Sequence, residues 1–425
     1  MDGEEAGYRM AARSSVEAVF REEHGRLLAS LVHRFGDLDL AEDAASAALE
    51  AALVHWPVRG VPSSPGGWLL TTARRKAVDR LRRDRTHAAR LAVLQAERER
   101  DAAPAPRTAG ELPDERLELF FTCAHPALPA EARGALTLRC LAGLTTPEVA
   151  RAYLIPTATM AQRIVRAKQK IRRARVPFRV PAVDELPGRL PGVLNVLYSI
   201  FTEGYTASSG PSLQRPALAE EAIRLARILH RLLPTERETA GLLALMLLVH
   251  ARRDARTGPG GALVLLADQD RTRWDRELIA EGTALTTSAL TGGSPGPYGV
   301  QAAIAALHDE APDSGGTDWA QIVALYGVLL TLTGSPVVAL NRAVAVSMRD
   351  GPAAGLALLD GLAGEPALRG HHPLHTARAE LLHCLGRAPE AAAAYRRAIE
   401  LAGTEPERAH LLRRLADLEA EPPGE

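Results

Sequence analysis

Apolar residues recur at helical spacing through most of this chain, and alternating runs of β-branched residues are nearly absent. Val19, Leu27, Leu28, Leu31 and Val32 follow Ser14-Ser15-Val16-Glu17, which has the form of a capping box. Asp37-Leu38-Asp39 marks a turn, and Leu40 to Trp56 reads as an alanine-rich helix. Pro57, Gly60, Pro62, Pro65, Gly66 and Gly67 then predict an irregular loop, because Pro and Gly at this density do not continue a helix. Trp68 opens a basic helix that runs to about Arg85. A polar stretch with Pro104 and Pro106 reads as a linker. After it a second helical unit, Glu115 to Arg175, closes at Pro177 and Pro181.

Inside that second unit the pattern is helix–turn–helix. Thr145 or Thr146 caps a helix with Pro147 in its first turn and Glu148 placed to complement the helix dipole. Val149, Ala150 and Tyr153 to Ile155 form its buried side. Pro156 and Thr157 break it, and a longer helix begins near Ala158 with Met160, Ile164, Val165 and Ile171 facing the core.

Beyond Pro181 lies a long helical region with Gly/Pro-rich joints at Ser208–Pro211, Gly258–Gly261, Gly292–Pro297 and Pro312–Gly316. Its longest apolar run, Ala240–Val249, is too short to cross a bilayer and reads as a buried helix. Near the end, Gly386, Ala391, Tyr395 and Ala398 fall at the small–large–small spacing of a tetratricopeptide helix pair, and Leu340–Asp360 has a similar rhythm. The expectation is an all-α protein.

Charge changes the picture more than composition does. The chain of 425 residues carries 51 Lys+Arg against 51 Asp+Glu. Residues 1–180 hold 29 basic and 22 acidic groups, a net of +7, which leaves 22 and 29, a net of −7, for residues 181–425. Such asymmetry points to nucleic-acid contact in the basic half. Cys123, Cys140 and Cys384 form no CxxC pair, which fits a reducing cytoplasm rather than a disulfide framework.

Seven cations and no carboxylate lie between Arg163 and Arg175. In a helix–turn–helix the early residues of the second helix reach base edges and later basic ones reach phosphates. The expected DNA contacts are therefore Thr159, Gln162, Arg163, Arg166, Lys168 and Lys170, with Gln162 and Arg163 as base readers because both make bidentate major-groove contacts. Upstream, Arg74, Arg75, Lys76, Arg80, Arg82 and Arg83 form a second phosphate-neutralising run. Trp68 has two readings: with the loop Arg59–Gly67 it offers a platform for an unstacked base, or it is an ordinary core residue.

WLLTTARRKAVDRLRRDR resembles sigma region 2.3–2.4, and LPAEARGALTLRCLAGLTTPEVARAYLIPTATMAQRIVRAKQKIR resembles sigma region 4. Their order and spacing resemble extracytoplasmic-function sigma factors with a long C-terminal helical extension. Supporting stretches include FFTCAHPALP, LYSIFTEGYTASSG and LADQDRTRWDRELIAEG. The resemblance implies a region 2 at 14–86 that docks on core RNA polymerase and opens the promoter −10 element. It implies a linker at 87–113 and a region 4 at 114–178 that reads the −35 element. A helical extension at 185–335 and tetratricopeptide-like repeats at 336–420 complete the expected organisation. By the same resemblance, polymerase docking falls on the helix bearing Asp39, Glu42 and Asp43; Ser46 and Leu49 depart there from the usual Gln and aromatic. The opposite charges of the halves predict an intramolecular contact between extension and sigma regions.

No Gly-rich phosphate loop, zinc signature or nucleophile motif is found, so no enzyme, cofactor, metal or membrane role is expected. Two rivals stand beside this reading. One is a stand-alone helix–turn–helix regulator, which would lack the upstream loop and basic helix. The other is a small-molecule sensor or enzyme in the C-terminal half, built on Asp268, Asp270 and Glu281 around Trp274. His371 and His375 form an i, i+4 pair without a third ligand at a recognised spacing.

Overall fold

The computed structural model describes residues 19, 22–83, 115–153 and 155–420, with the side chain of Arg83 outside that set. The expected capping box at 14–17 and the linker at 87–113 also lie outside the described residues. Within them the chain is helical, apart from two isolated bridges and five short 3-10 turns. It divides into two compact units, Met1–Val196 and Leu197–Glu425.

The first unit holds α1 (22–35), α2 (Leu38–Arg59), α3 (Pro65–Arg83), α4 (Arg116–Cys123), α5 (Ala130–Cys140), α6 (Thr146–Ala152) and α7 (Thr157–Arg173). Asp37 caps α2 by accepting from the Asp39 and Leu40 amides at 2.8 and 3.0 Å. Ala41, Ala45, Ala48 and Ala52 form its fully buried stripe. The helix carries Pro57 inside its last turn and ends at Gly60, at φ 80°. The loop therefore begins later than its Pro/Gly content predicts, since a proline in the last turn forfeits a single helical bond. Likewise α3 starts at Pro65 rather than Trp68, because a first-turn proline loses an amide that has no helical partner anyway.

Regions expected as separate modules pack together in this unit. A Cβ on Gly25 of α1 would sit 2.6 Å from the carbonyl oxygen of Leu141, which follows α5. Ser30 donates to Glu115 at 2.5 Å, and His33 meets Glu118 at 3.0 Å. Cys123 and Cys140, distant in sequence, meet in the core. The hydrogen bond between them, and then burial, hold the Cys140 thiol well above its ordinary range.

In the second unit α10 (Arg237–His250) is buried along almost its whole length. It packs against α9 (Pro216–Leu232), α11 (Arg276–Leu290) and α12 (Pro297–Glu310). Gly241 lets α10 and α12 touch backbone to backbone, since a Cβ there would lie 2.6 Å from the Gly299 nitrogen. Preceding these, and running across the division at Val196, is α8 (Leu186–Tyr205). After them come α13 (Trp319–Thr333), α14 (Pro336–Asp350), α15 (Pro352–Asp360), α16 (His372–Cys384), α17 (Ala388–Leu401) and α18 (Glu405–Ala420). Gly386 turns at φ 70° between α16 and α17, and Ala391, Tyr395 and Ala398 are fully buried. That is the small–large–small pairing expected of a helix hairpin; its assignment to tetratricopeptide repeats is not carried further by the structure.

A staple of cations closes the joint after α10. Arg252 donates to Asp309 Oδ1 and to the Ala305 carbonyl, both at 2.7 Å, and its guanidinium lies 5.2 Å from the centroid of Trp274. Arg271 stacks on the same ring at 4.5 Å while donating to the carbonyls of His308 and Ala311. Burial pushes the Asp309 carboxyl up, against the pull of Arg252.

Burial, helped by neighbouring arginines, holds the imidazoles of His250 and His308 down at about 4. Both groups stay neutral in the fold while the unfolded chain takes up protons below its ordinary histidine range. Stability is thus lost as pH falls from about 6.5 towards 4, and is unaffected above that window. Thermal melts at about pH 7 and pH 5 should show the midpoint falling, and His308→Gln should flatten the dependence. A midpoint unchanged over that interval would contradict the assignment.

Candidate nucleic-acid interface

Local sequence fixes the helix–turn–helix. Thr145 caps α6, its hydroxyl accepting from the Glu148 amide at 3.3 Å while the Glu148 carboxylate accepts from the Thr145 amide at 2.7 Å. Tyr153 ends the helix, and Pro156 precedes α7, a helix with no acidic residue at all.

Three faces of α7 have three different jobs. Met160, Ile164, Ala167 and Ile171 are at most 5% exposed and anchor it to the core. Val165, expected inside, is 51% exposed; Ala167 takes its place, because the buried series follows steps of four, three and four residues. On a second face Thr159, Gln162, Arg163, Arg166 and Lys170 line a groove of about 510 Å³, opposite Pro129 and Glu131 at the start of α5. Five of the six residues expected to contact the −35 element are thus brought together. Glu131 was not legible as part of this surface, because nothing in its local sequence distinguishes it from a solvated helix-start carboxylate.

Lys168, the sixth, does not line this groove and lies on a third face. Its ammonium sits 2.7 Å from Glu42 Oε2 and 3.1 Å from Asp39 Oδ1. Arg172 pairs with the other oxygen of Asp39, and Arg139 Nε stands 3.7 Å from Glu42 Oε1. The side chains of Lys168 and Glu42 are only 13% and 11% exposed, so this pair is largely out of water. Burial pulls the Lys168 ammonium down, but the Glu42 and Asp39 carboxylates outweigh it and raise it above the ordinary lysine range. Sequence spacing missed this because residues four apart on a helix share a face only when the drift of 3.6 residues per turn is followed from the buried stripe.

On α3, Arg75, Lys76, Arg80 and Arg82 are exposed and Arg74 is half-buried. Arg80 pairs with Asp43 at 2.6 Å. All three carboxylates expected to dock polymerase are therefore engaged by cations of the chain itself. Trp68 is half-buried, with its ring edge-on to Trp56 at 5.4 Å and to His55 at 6.3 Å. It anchors α3 on α2 while keeping part of its surface in solvent. The same end of α2 and the loop after it expose Val54, Val58 and Val61. Their apolar positions off the buried alanine stripe are the sequence signal for that surface.

In the second unit the acid–base cluster does not form. Asp270 caps a turn by accepting from the Thr272 amide and hydroxyl at 2.9 and 2.6 Å, and Asp268 is exposed. Glu281 holds Arg227 through two bonds of 2.6 and 2.8 Å. His372 faces Glu407 at 3.5 Å, and among the described residues no group of His, Cys, Asp or Glu is arranged to hold a metal ion. Nor, among them, is any helix long and apolar enough to cross a membrane.

Comparison with known proteins places names on these parts. Residues 20–87 match Sigma-70 region 2, residues 121–171 match Sigma-70 region 4, and residues 189–290 match a family of unknown function, DUF6596. The chain is 44% identical over 398 residues to an uncharacterized protein of Rhizobium meliloti (strain 1021), spanning 93% of this chain and 94% of that one. No solved structure matches.

Proposed function

The chain belongs to the extracytoplasmic-function sigma factors that carry a C-terminal extension, and from that premise we propose how its surfaces divide the work of promoter recognition. The groove on α7 reads the −35 element, with Gln162 and Arg163 on base edges and Arg166 and Lys170 on phosphates. Arg74, Arg75, Lys76, Arg80, Arg82 and Arg83 neutralise phosphates near the −10 element, where Trp68 and the loop before it hold an unstacked base. Asp39, Glu42 and Asp43 dock core RNA polymerase. The extension, acidic where the sigma regions are basic, regulates them.

One observation carries this reading. Helix α7, which follows the capping-box helix α6, presents five polar and basic side chains to one groove, on the face beside its buried stripe. Transcription from a promoter library with purified core polymerase tests it. Discrete start sites that share an upstream motif are expected, and the same assay on residues 1–196 reads the contribution of the extension. Transcripts no different from core polymerase alone would refute the assignment.

A further inference from the structure

We propose that Lys168 is an intramolecular latch: it holds the polymerase-docking face of α2 shut until core polymerase displaces it. The inference rests on the proposed docking role of Asp39 and Glu42. Lys168, Arg172 and Arg139 present cations to the acidic face of α2, as a basic polymerase surface would. With α7 lying over them the Glu42 and Lys168 side chains are only 11% and 13% exposed, so a protein partner reaches that carboxylate only when α7 is released.

Distance argues the same way. The −35 and −10 positions lie about 25 base pairs apart, roughly 85 Å of duplex at about 3.4 Å per pair. Here the helix assigned to the first element touches the unit assigned to the second, with Lys168 2.7 Å from Glu42. This arrangement cannot span a promoter. Residues 84–114 connect the two regions, and 31 residues reach at most about 110 Å, enough to let them part.

The closed state is also incompletely satisfied. Glu42 Oε1 is buried without a hydrogen bond, its facing cation Arg139 being 3.7 Å away. A buried acceptor left in that condition is destabilising, so the latch is poised to yield to a partner that supplies the missing donor.

Two measurements on the full chain test this. Zero-length carbodiimide coupling should join Lys168 to Glu42 or Asp39 in the free protein, mapped by peptide mass, and saturating core polymerase should abolish the product. Its absence from the free chain, or its persistence in the complex, overturns the latch. In a polymerase titration at low salt, Lys168→Gln should bind about tenfold more tightly than wild type if the free chain is about nine-tenths closed. Asp43→Asn, a docking carboxylate that α7 does not hold, should bind more weakly. Wild-type affinity for Lys168→Gln beside weakened Asp43→Asn sinks the latch alone, whereas unchanged affinity for Asp43→Asn sinks the docking role beneath it.

Discussion

Arg252→Ala is expected to destabilise the second unit by about 3–5 kcal/mol, the usual consequence of removing one partner from a buried ion pair. The Asp309 carboxylate is fully buried, and Arg252 supplies its hydrogen bond. Without the guanidinium, nothing comparable offsets the burial of the Asp309 carboxyl, the Ala305 carbonyl loses its donor, and Trp274 loses one of its two stacked cations. For a unit of this size the thermal midpoint should fall by about 10 °C. The double variant Arg252→Met/Asp309→Leu should recover more than half of that loss, because it replaces the pair with apolar groups instead of stranding one charge. Circular dichroism melts read both. A single variant that melts like wild type would mean that the staple is incidental.

At the DNA surface, Arg163→Ala should weaken binding to a matched promoter by about 1–3 kcal/mol and relax preference at one −35 base pair. Arg163 lies on the groove face of α7 with Gln162, away from the carboxylates that hold Lys168. Arg82→Ala removes an exposed cation from α3 and should weaken all promoters alike, lowering the salt slope by about one unit. Binding of the polymerase-loaded protein to a set of single-base promoter variants, at several salt concentrations, separates the two behaviours. Equal losses on every sequence for both substitutions would remove the distinction between base reading and phosphate neutralisation.

Much of the local architecture could be read directly. Asp37 and Thr145 cap helices through side-chain oxygens that need only the next three amides, so short sequence windows contain the whole cause. The same holds for the turn at Pro156 and for the buried stripe of α7, apart from Val165. Helix ends at prolines were misplaced by up to three residues. A terminal proline is cheap or costly according to which amide it removes, and composition alone does not distinguish the two. The acidic cluster at Asp268–Glu281 misled for a related reason. Charges close in sequence were directed by the fold to separate partners, Thr272 and Arg227 among them.

From the chain alone came the all-helical class, the helix–turn–helix, the basic half and the groove face of α7, because hydrophobic period, capping and charge are properties of neighbouring residues. Tertiary structure decided where each charge ends. Whether Lys168 faces DNA or Glu42, or Arg252 meets Asp309, depends on helices tens to more than a hundred residues apart. Burial raises the strength of such pairs well above what exposure allows, and burial is a property of the folded whole.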